Sequence, residues 1–263
     1  MSIMKKILCL LIVAVAIVGC CSKQQDKEEW VQLFNGKDLS GWTMKITGYP
    51  AGENFGETFY VEDSLLKVKY DAYGDDFAGR FGHLYTDKSY SHYKLRVEYR
   101  FVGEQAPGGE GWATRNSGAM LHAQDPYTMD LNQNFPVSVE AQMLGGDGEH
   151  DRQTGNVCTP GTEVFIEGDM APHHCINSTS KTYHGDQWVT LDMIVLGDSI
   201  VHHVIEGDTI LTYTKLQIGG GQVDPKPNLP EGPLKEGRIA LQSESHPVEF
   251  RKIELLDLSS QYK

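Results

Sequence analysis

Trp188-Val189-Thr190-Leu191-Asp192-Met193-Ile194-Val195-Leu196-Gly197-Asp198-Ser199-Ile200-Val201-His202-His203-Val204-Ile205-Glu206-Gly207-Asp208-Thr209-Ile210-Leu211-Thr212-Tyr213-Thr214-Lys215 is the stretch that decides the fold. Three runs rich in β-branched and apolar residues are parted by Gly197-Asp198 and Gly207-Asp208, which are two-residue hairpin signals. The stretch therefore reads as a three-stranded antiparallel meander over 188–196, 199–206 and 209–215. On such strands His202 and His203 point to opposite faces, so they cannot form a ligand pair on one face.

Outward from the meander the same texture continues. Short runs at 59–70, 83–86, 93–102, 117–123, 137–144, 164–166, 238–243 and 248–256 read as strands, with very little helical periodicity between them. Many strands punctuated by turns, with no alternation of strand and helix, predict an all-β antiparallel sandwich or jelly roll. Four longer connections, 103–114, 145–161, 167–185 and 219–237, have the length of functional loops. The last carries Pro225, Pro227, Pro230 and Pro233, which stiffen it without offering donors to a sheet. There is no internal repeat.

Several strands divide into a greasy and a chemically equipped side. In 137–144, Val137, Val139, Ala141 and Met143 point one way and Ser138, Glu140 and Gln142 the other. By the same two-residue rule Arg96, Glu98 and Arg100 share a face, as do Asn116, Gly118, Met120 and His122, and Gln242, Glu244 and His246. One polar face meets water by default. Four faces rich in ionisable and amide groups predict a concave binding surface. Retaining β-glucanases place two carboxylates on one strand as E-x-D-x-x-E. Here Glu140 is followed by Gln142 and Gly145, so that pair is missing from the strand.

The amino terminus points to export. Lys5 and Lys6 precede an apolar run over 7–18, too short to span a bilayer and ending in Ile17-Val18-Gly19-Cys20. This resembles a bacterial lipobox, which predicts a signal peptide over 1–19, lipidation of Cys20, a polar tether over 20–29 and a β domain over 30–258. The protein is then a membrane-anchored lipoprotein, periplasmic or at the outer-membrane face. The 263 residues carry 23 basic and 36 acidic side chains. Removing the signal takes away two lysines and no acid, so the mature net charge is about −15, which argues against nucleic acid as a partner. Beyond the signal and tether about 235 residues remain, enough for one large β domain. In an oxidising compartment Cys158 and Cys175 are the expected disulfide. The competing use of these thiols is a metal site with His173 and His174 nearby. No cofactor is required by the sequence. A divalent metal is conceivable at Asp147, Glu149, His150 and Asp151, although their spacing is not that of a twelve-residue calcium loop.

Ordered motifs add a resemblance. Leu33-Phe34-Asn35-Gly36-Lys37-Asp38-Leu39-Ser40-Gly41-Trp42, Asn116-Ser117-Gly118, Glu140-Ala141-Gln142, Trp188, Gly237-Arg238-Ile239-Ala240-Leu241-Gln242 and Val248-Glu249-Phe250-Arg251-Lys252-Ile253 together resemble the 3-keto-disaccharide hydrolase family. The chain departs from the usual family pattern at 155–161, where Gly155-Asn156-Val157-Cys158-Thr159-Pro160-Gly161 stands in place of a Gly-x-Ile-Tyr segment. The resemblance implies a concanavalin A-like jelly roll of two curved sheets, with an oligosaccharide or glycoside substrate bound on the concave face. It also implies cleavage of glycosides whose glucose unit is oxidised at carbon 3. Such chemistry needs a base, an acid and donors to an enolate oxygen. The expected base is Glu140 or His122, and the expected proton donor His246 or Glu244. Arg100 or Arg115, with Asn116, Gln142 and Gln242, would orient the sugar. The alternative is a non-catalytic carbohydrate-binding lipoprotein with Trp112, Tyr127 and Trp188 as stacking candidates, of which Trp188 suits the core better.

Overall fold

A computed structural model describes residues 29–219 and 229–262. The signal peptide, Cys20, the tether before residue 29, Pro225 and Pro227 lie outside the described residues. Two antiparallel sheets pack face to face as a jelly-roll sandwich. The larger sheet runs Asp169–Met170, Thr162–Ile166, Asp208–Ile218, Ile200–Ile205, Val189–Leu196, His92–Phe101, Val248–Asp257, Leu65–Val68 and Phe59–Glu62, with Val31–Gln32 and Gly232–Pro233 attached at the side. The smaller sheet runs Cys175–Ile176, Asn156–Cys158, Val139–Leu144, Asn116–Ala123, Gly237–Ser243, Gly82–Tyr90 and Trp42–Ile46.

The meander forms as its turns dictate, with Leu196 opposite Ile200 and Ile205 opposite Asp208. The run at 59–70 is not one strand. Asp63 and Ser64 both adopt left-handed backbone (φ 53° and 60°), the geometry of a tight two-residue hairpin, and fold Phe59–Glu62 onto Leu65–Val68. The sequence reading also passed over Trp42–Ile46, the edge strand of the smaller sheet, which shows no simple alternation: Trp42, Thr43, Lys45 and Ile46 are all buried.

The core lies between the sheets. Leu95, Val97, Tyr99 and Phe101 meet Ala119, Leu121, Val139, Ala141, Met143 and Val157 there. Burying a side chain of this size contributes about 1.5–3 kcal/mol. The meander's two histidines separate as alternation requires. His203 is fully buried, bonding the Gly155 carbonyl through Nδ1 (2.8 Å) and the Tyr213 hydroxyl through Nε2 (3.0 Å), while His202 turns to Thr212.

The sheet assignment corrects one expectation about the binding face. The strand His92–Phe101 belongs to the larger sheet, so the face carrying Arg96, Glu98 and Arg100 is that sheet's outer surface and not part of the concave face. Arg100 pairs with Glu249 (2.6 Å), and its guanidinium covers the Trp188 ring at 4.6 Å. Arg251 covers the same ring at 4.5 Å. Trp188 is therefore an outer-face ring held between two guanidinium groups, neither core nor sugar platform. Alternation divides a strand into two faces correctly but cannot say which sheet the strand joins.

Candidate active site

A cavity of about 570 Å³ opens on the free face of the smaller sheet. Its floor is set by three neighbouring strands, Val139–Leu144, Asn116–Ala123 and Gly237–Ser243, from which Glu140, Gln142, Asn116 and Glu244 reach inward. Trp112 and Phe135 form one wall. Leu144, Arg152, Pro160, His174 and the Cys158–Cys175 disulfide contribute the rest. Trp112 stands 53% exposed and lies nearly parallel to Phe81 at 5.9 Å, so one ring face backs onto protein and the edge of the cavity is aromatic.

Glu140 and Glu244 are the two carboxyls of the cavity. Both are buried, at 6% and 3% exposure. The Glu140 carboxyl accepts no hydrogen bond from any described residue, and burial pushes it up to about 8. Burial and the neighbouring Glu140 charge drive Glu244 well above the usual carboxylate range, against one hydrogen bond from Gln242 Nε2 (3.0 Å). Two buried carboxyls that feel each other this strongly cannot both ionise, so near neutral pH the pair retains a proton. Gly118 on the intervening strand allows the approach: a Cβ there would lie 2.4 Å from Glu140 Oε1. The second carboxyl absent from Glu140's own strand comes from Glu244, just past the end of Gly237–Ser243.

The amides are oriented. Gln142 accepts from Asn156 Nδ2 at 2.9 Å, which turns its own NH₂ toward the cavity, and Asn156 is fixed in turn by accepting the Ser178 amide at 2.9 Å. Asn116 Oδ1, Gln242 Oε1 and Glu244 Oε2 are buried without a partner. Of these, Asn116 and Glu244 line the cavity and the expected binding residue Gln242 does not; a buried polar atom without a partner is costly, and the two at the cavity mark a surface built to receive hydroxyl or water groups.

Other expected residues lie elsewhere. His122 faces the core and not the cavity. Leu121 and His122 together oppose the single residue Ile239, a bulge in which His122 takes φ 51°. The extra residue inverts the alternation, and the imidazole meets Tyr93 edge-on while bonding the Gly197 carbonyl at 3.2 Å. Burial lowers it to about 4, so it stays neutral. Ser245 (φ 86°) similarly breaks the phase between Glu244 and His246. His246 packs edge-on against Phe101 at 5.8 Å and is absent from the cavity wall, with burial, then Arg115, lowering it to about 4. Arg115 is spent at the rim on the Gly185 carbonyl (2.5 Å) and Asp186 (3.1 Å). Tyr127 is exposed away from the cavity wall.

The cation in the cavity is Arg152, which sequence reasoning missed although it sits in the 145–161 loop and its guanidinium bonds the Gly145 carbonyl at 2.7 Å. His174, Phe135 and Asn156 were missed as well. For Arg152 and Asn156 the length of the 145–161 connection was the signal, His174 was seen only as a candidate metal ligand, and nothing in the sequence marked Phe135.

Neither metal expectation is supported by the geometry. Asp147 uses its carboxylate on the amides of Glu149 and His150 and on the His150 ring, which hold it well below the usual range, while Glu149 and Asp151 are exposed and do not converge with it. Among the described residues the one close group of potential ligands is Cys158, His174 and Cys175, and its two sulfurs are bonded to each other.

Fold and site together define a jelly-roll domain with a carbohydrate-active type of cleft on one sheet. The chain belongs to the 3-keto-α-glucoside-1,2-lyase-like domain family, whose model matches residues 29–256. Two solved structures from Parabacteroides distasonis ATCC 8503, each described as a candidate glycosyl hydrolase, share the fold. One is 18% identical over 88% of this chain and 94% of its own, with a TM-score of 0.53. The other is 16% identical over 88% of this chain and 100% of its own, with a TM-score of 0.51. Comparison with curated proteins gives no significant sequence match.

Proposed function

We propose that this protein is an exported carbohydrate-active enzyme that cleaves the glycosidic bond of 3-keto-glycosides by elimination followed by hydration. The observation that carries the reading is the Glu140–Glu244 pair, two buried carboxyls that line one cleft and share its floor. A ketone at carbon 3 acidifies the hydrogen on carbon 2. Glu140, ionised, takes that proton, and the carbon–hydrogen electron pair moves into an enolate. The enolate expels the oxygen on carbon 1, which takes its proton from the Glu244 carboxyl. Water then adds across the carbon 1–carbon 2 double bond, and the pair returns to its starting protonation by passing a proton from Glu140 to Glu244. General acid and base steps of this kind each contribute about 10²–10⁴-fold. Asn116, Gln142 and Arg152 hold sugar hydroxyls, Gln242 steadies the Glu244 carboxyl from behind, and Trp112 offers an apolar face to a ring.

The separation of the two carboxyls onto different strands suits this route as well as it suits hydrolysis of an unoxidised glycoside; the family model favours the oxidised substrate. The deciding experiment is turnover of 3-keto-trehalose against trehalose, with Glu140→Gln as the control that binds without cleaving. Binding of either sugar with no turnover by the wild type supports the non-catalytic carbohydrate-binding alternative.

Export as a lipoprotein rests on Lys5, Lys6, the apolar run over 7–18 and Cys20. Lipid labelling that is lost in Cys20→Ala tests it.

A further inference from the structure

His174 has no part in the roles assigned so far, yet it lines the cavity beside the catalytic pair. Its position follows from a cross-strand row. Glu140 stands opposite Cys158, and Cys158 opposite Cys175, so the disulfide shares Glu140's face of the sheet, one strand away from it. The bridge clamps the short edge strand that follows His174. Thr159 fixes the ring: its amide is shared between the His174 carbonyl (3.0 Å) and His174 Nδ1 (3.3 Å), and its hydroxyl donates to the same carbonyl (3.2 Å).

An amide N–H can only donate, so Nδ1 is the lone-pair nitrogen and a neutral His174 carries its proton on Nε2. Burial lowers the ring's affinity for a second proton, which keeps it neutral. The cleft is thus offered a fixed, uncharged donor.

Across the smaller sheet the order is Glu244, Gly118, Glu140, then the disulfide, and His174 precedes Cys175 at the start of the edge strand, on the wall of the same cavity. A sugar whose carbon 2 lies over Glu140 and whose carbon 1 is turned to Glu244 turns carbon 3 toward His174. We propose that His174 is a further catalytic residue, its Nε2–H donating to the oxygen on carbon 3 as that oxygen changes from ketone to enolate. The inference rests on the elimination reading above. Glu140 takes the carbon 2 proton, the electron pair flows onto the oxygen held by His174, and it returns as the carbon 1–oxygen bond breaks. His174 keeps its proton throughout. A donor of this kind is most valuable when charge develops on the acceptor, and removing one costs about 10²–10³-fold in kcat.

The test uses the full chain, 3-keto-trehalose as the probe, and two rates: turnover, and exchange of the carbon 2 hydrogen with solvent deuterium. His174→Phe keeps the ring's bulk without its donor and is expected to lower both rates at least 30-fold with KM changed less than fivefold. His174→Gln, whose side-chain amide nitrogen reaches the Nε2 position, is expected to recover to within tenfold of wild type. Nitrogen-15 NMR of the wild type should find the Nε2-protonated neutral tautomer at pH 7. A His174→Phe enzyme within threefold of wild type in both rates, or an Nδ1-protonated ring, overturns the role of His174 while leaving the elimination reading intact. A wild type that neither cleaves the probe nor exchanges carbon 2 overturns both. If His174→Phe melts out, the glutamine variant and the tautomer still decide.

Discussion

Glu140 shows how much a single buried carboxyl can carry. Its raised affinity for a proton comes from burial, so the folded state binds a proton that the unfolded chain releases at ordinary carboxylate pH. The sign follows: wild-type stability falls as pH rises from about 4.5 through about 8. Glu140→Gln removes the buried charge and should melt higher than wild type, by a margin that grows between pH 5 and pH 8 in scanning calorimetry. The same variant should lose about 10²–10⁴-fold in turnover of 3-keto-trehalose while its calorimetric affinity stays within a few fold. In the wild type kcat/KM should climb with pH toward about 8, as Glu140 ionises, and decline above that as Glu244 loses its proton. A flat profile between pH 5 and pH 8 contradicts the assignment of Glu140 as base. Gly118 is the second residue to change. Its missing Cβ leaves the space that Glu140 occupies, so Gly118→Ala should displace the carboxylate and lower kcat/KM by about 10²-fold, the effect of an ångström's misplacement, with little change in KM. Wild-type kinetics in that variant would show that the carboxyl does not work where it rests.

At the level of strands, alternation was a reliable guide to faces and a poor guide to partners. Val139, Ala141 and Met143 pack inward and Glu140 and Gln142 line the cavity, as period two requires. The identical argument put Arg100 on a strand whose polar face belongs to the outside of the opposite sheet. Arg100→Ala should therefore leave kcat and KM unchanged and cost stability about 1 kcal/mol or less, through the Glu249 pair and the Trp188 contact, as measured by urea denaturation. A large fall in kcat would restore it to the site. Backbone phase explains the two misplaced histidines. A bulge at His122 and a left-handed Ser245 each add a half-period that no count of residues reveals, because either requires knowing what the neighbouring strand offers. The loop elements were legible only as long loops. Arg152 and His174 arrive in the cavity because Asn156–Cys158 pairs onto Glu140's strand, Cys175–Ile176 pairs onto that, and buried His203 ties Gly155 from below.

For the molecule as a whole, the proposal of a lipoprotein rests on Lys5, Lys6, the apolar run over 7–18 and Cys20, and it predicts a membrane-tethered domain. Cys20→Ala should move the protein from the membrane to the soluble fraction on cell fractionation, with turnover by the released domain unchanged. Protein that remains wholly membrane-bound after the change would contradict the lipobox. Turn chemistry and two-residue periodicity in the sequence by themselves determined an all-β sandwich, because hairpin signals and alternating faces are local properties of consecutive residues. The ordered motifs determined the family. Tertiary structure alone decided that Glu244 stands beside Glu140, that Arg152 supplies the cation, and that Arg100, His122 and His246 lie outside the cleft. Those facts depend on which strands become neighbours and on where a bulge shifts their register. Most of these relations join residues far apart in the chain, and no local pattern encodes them.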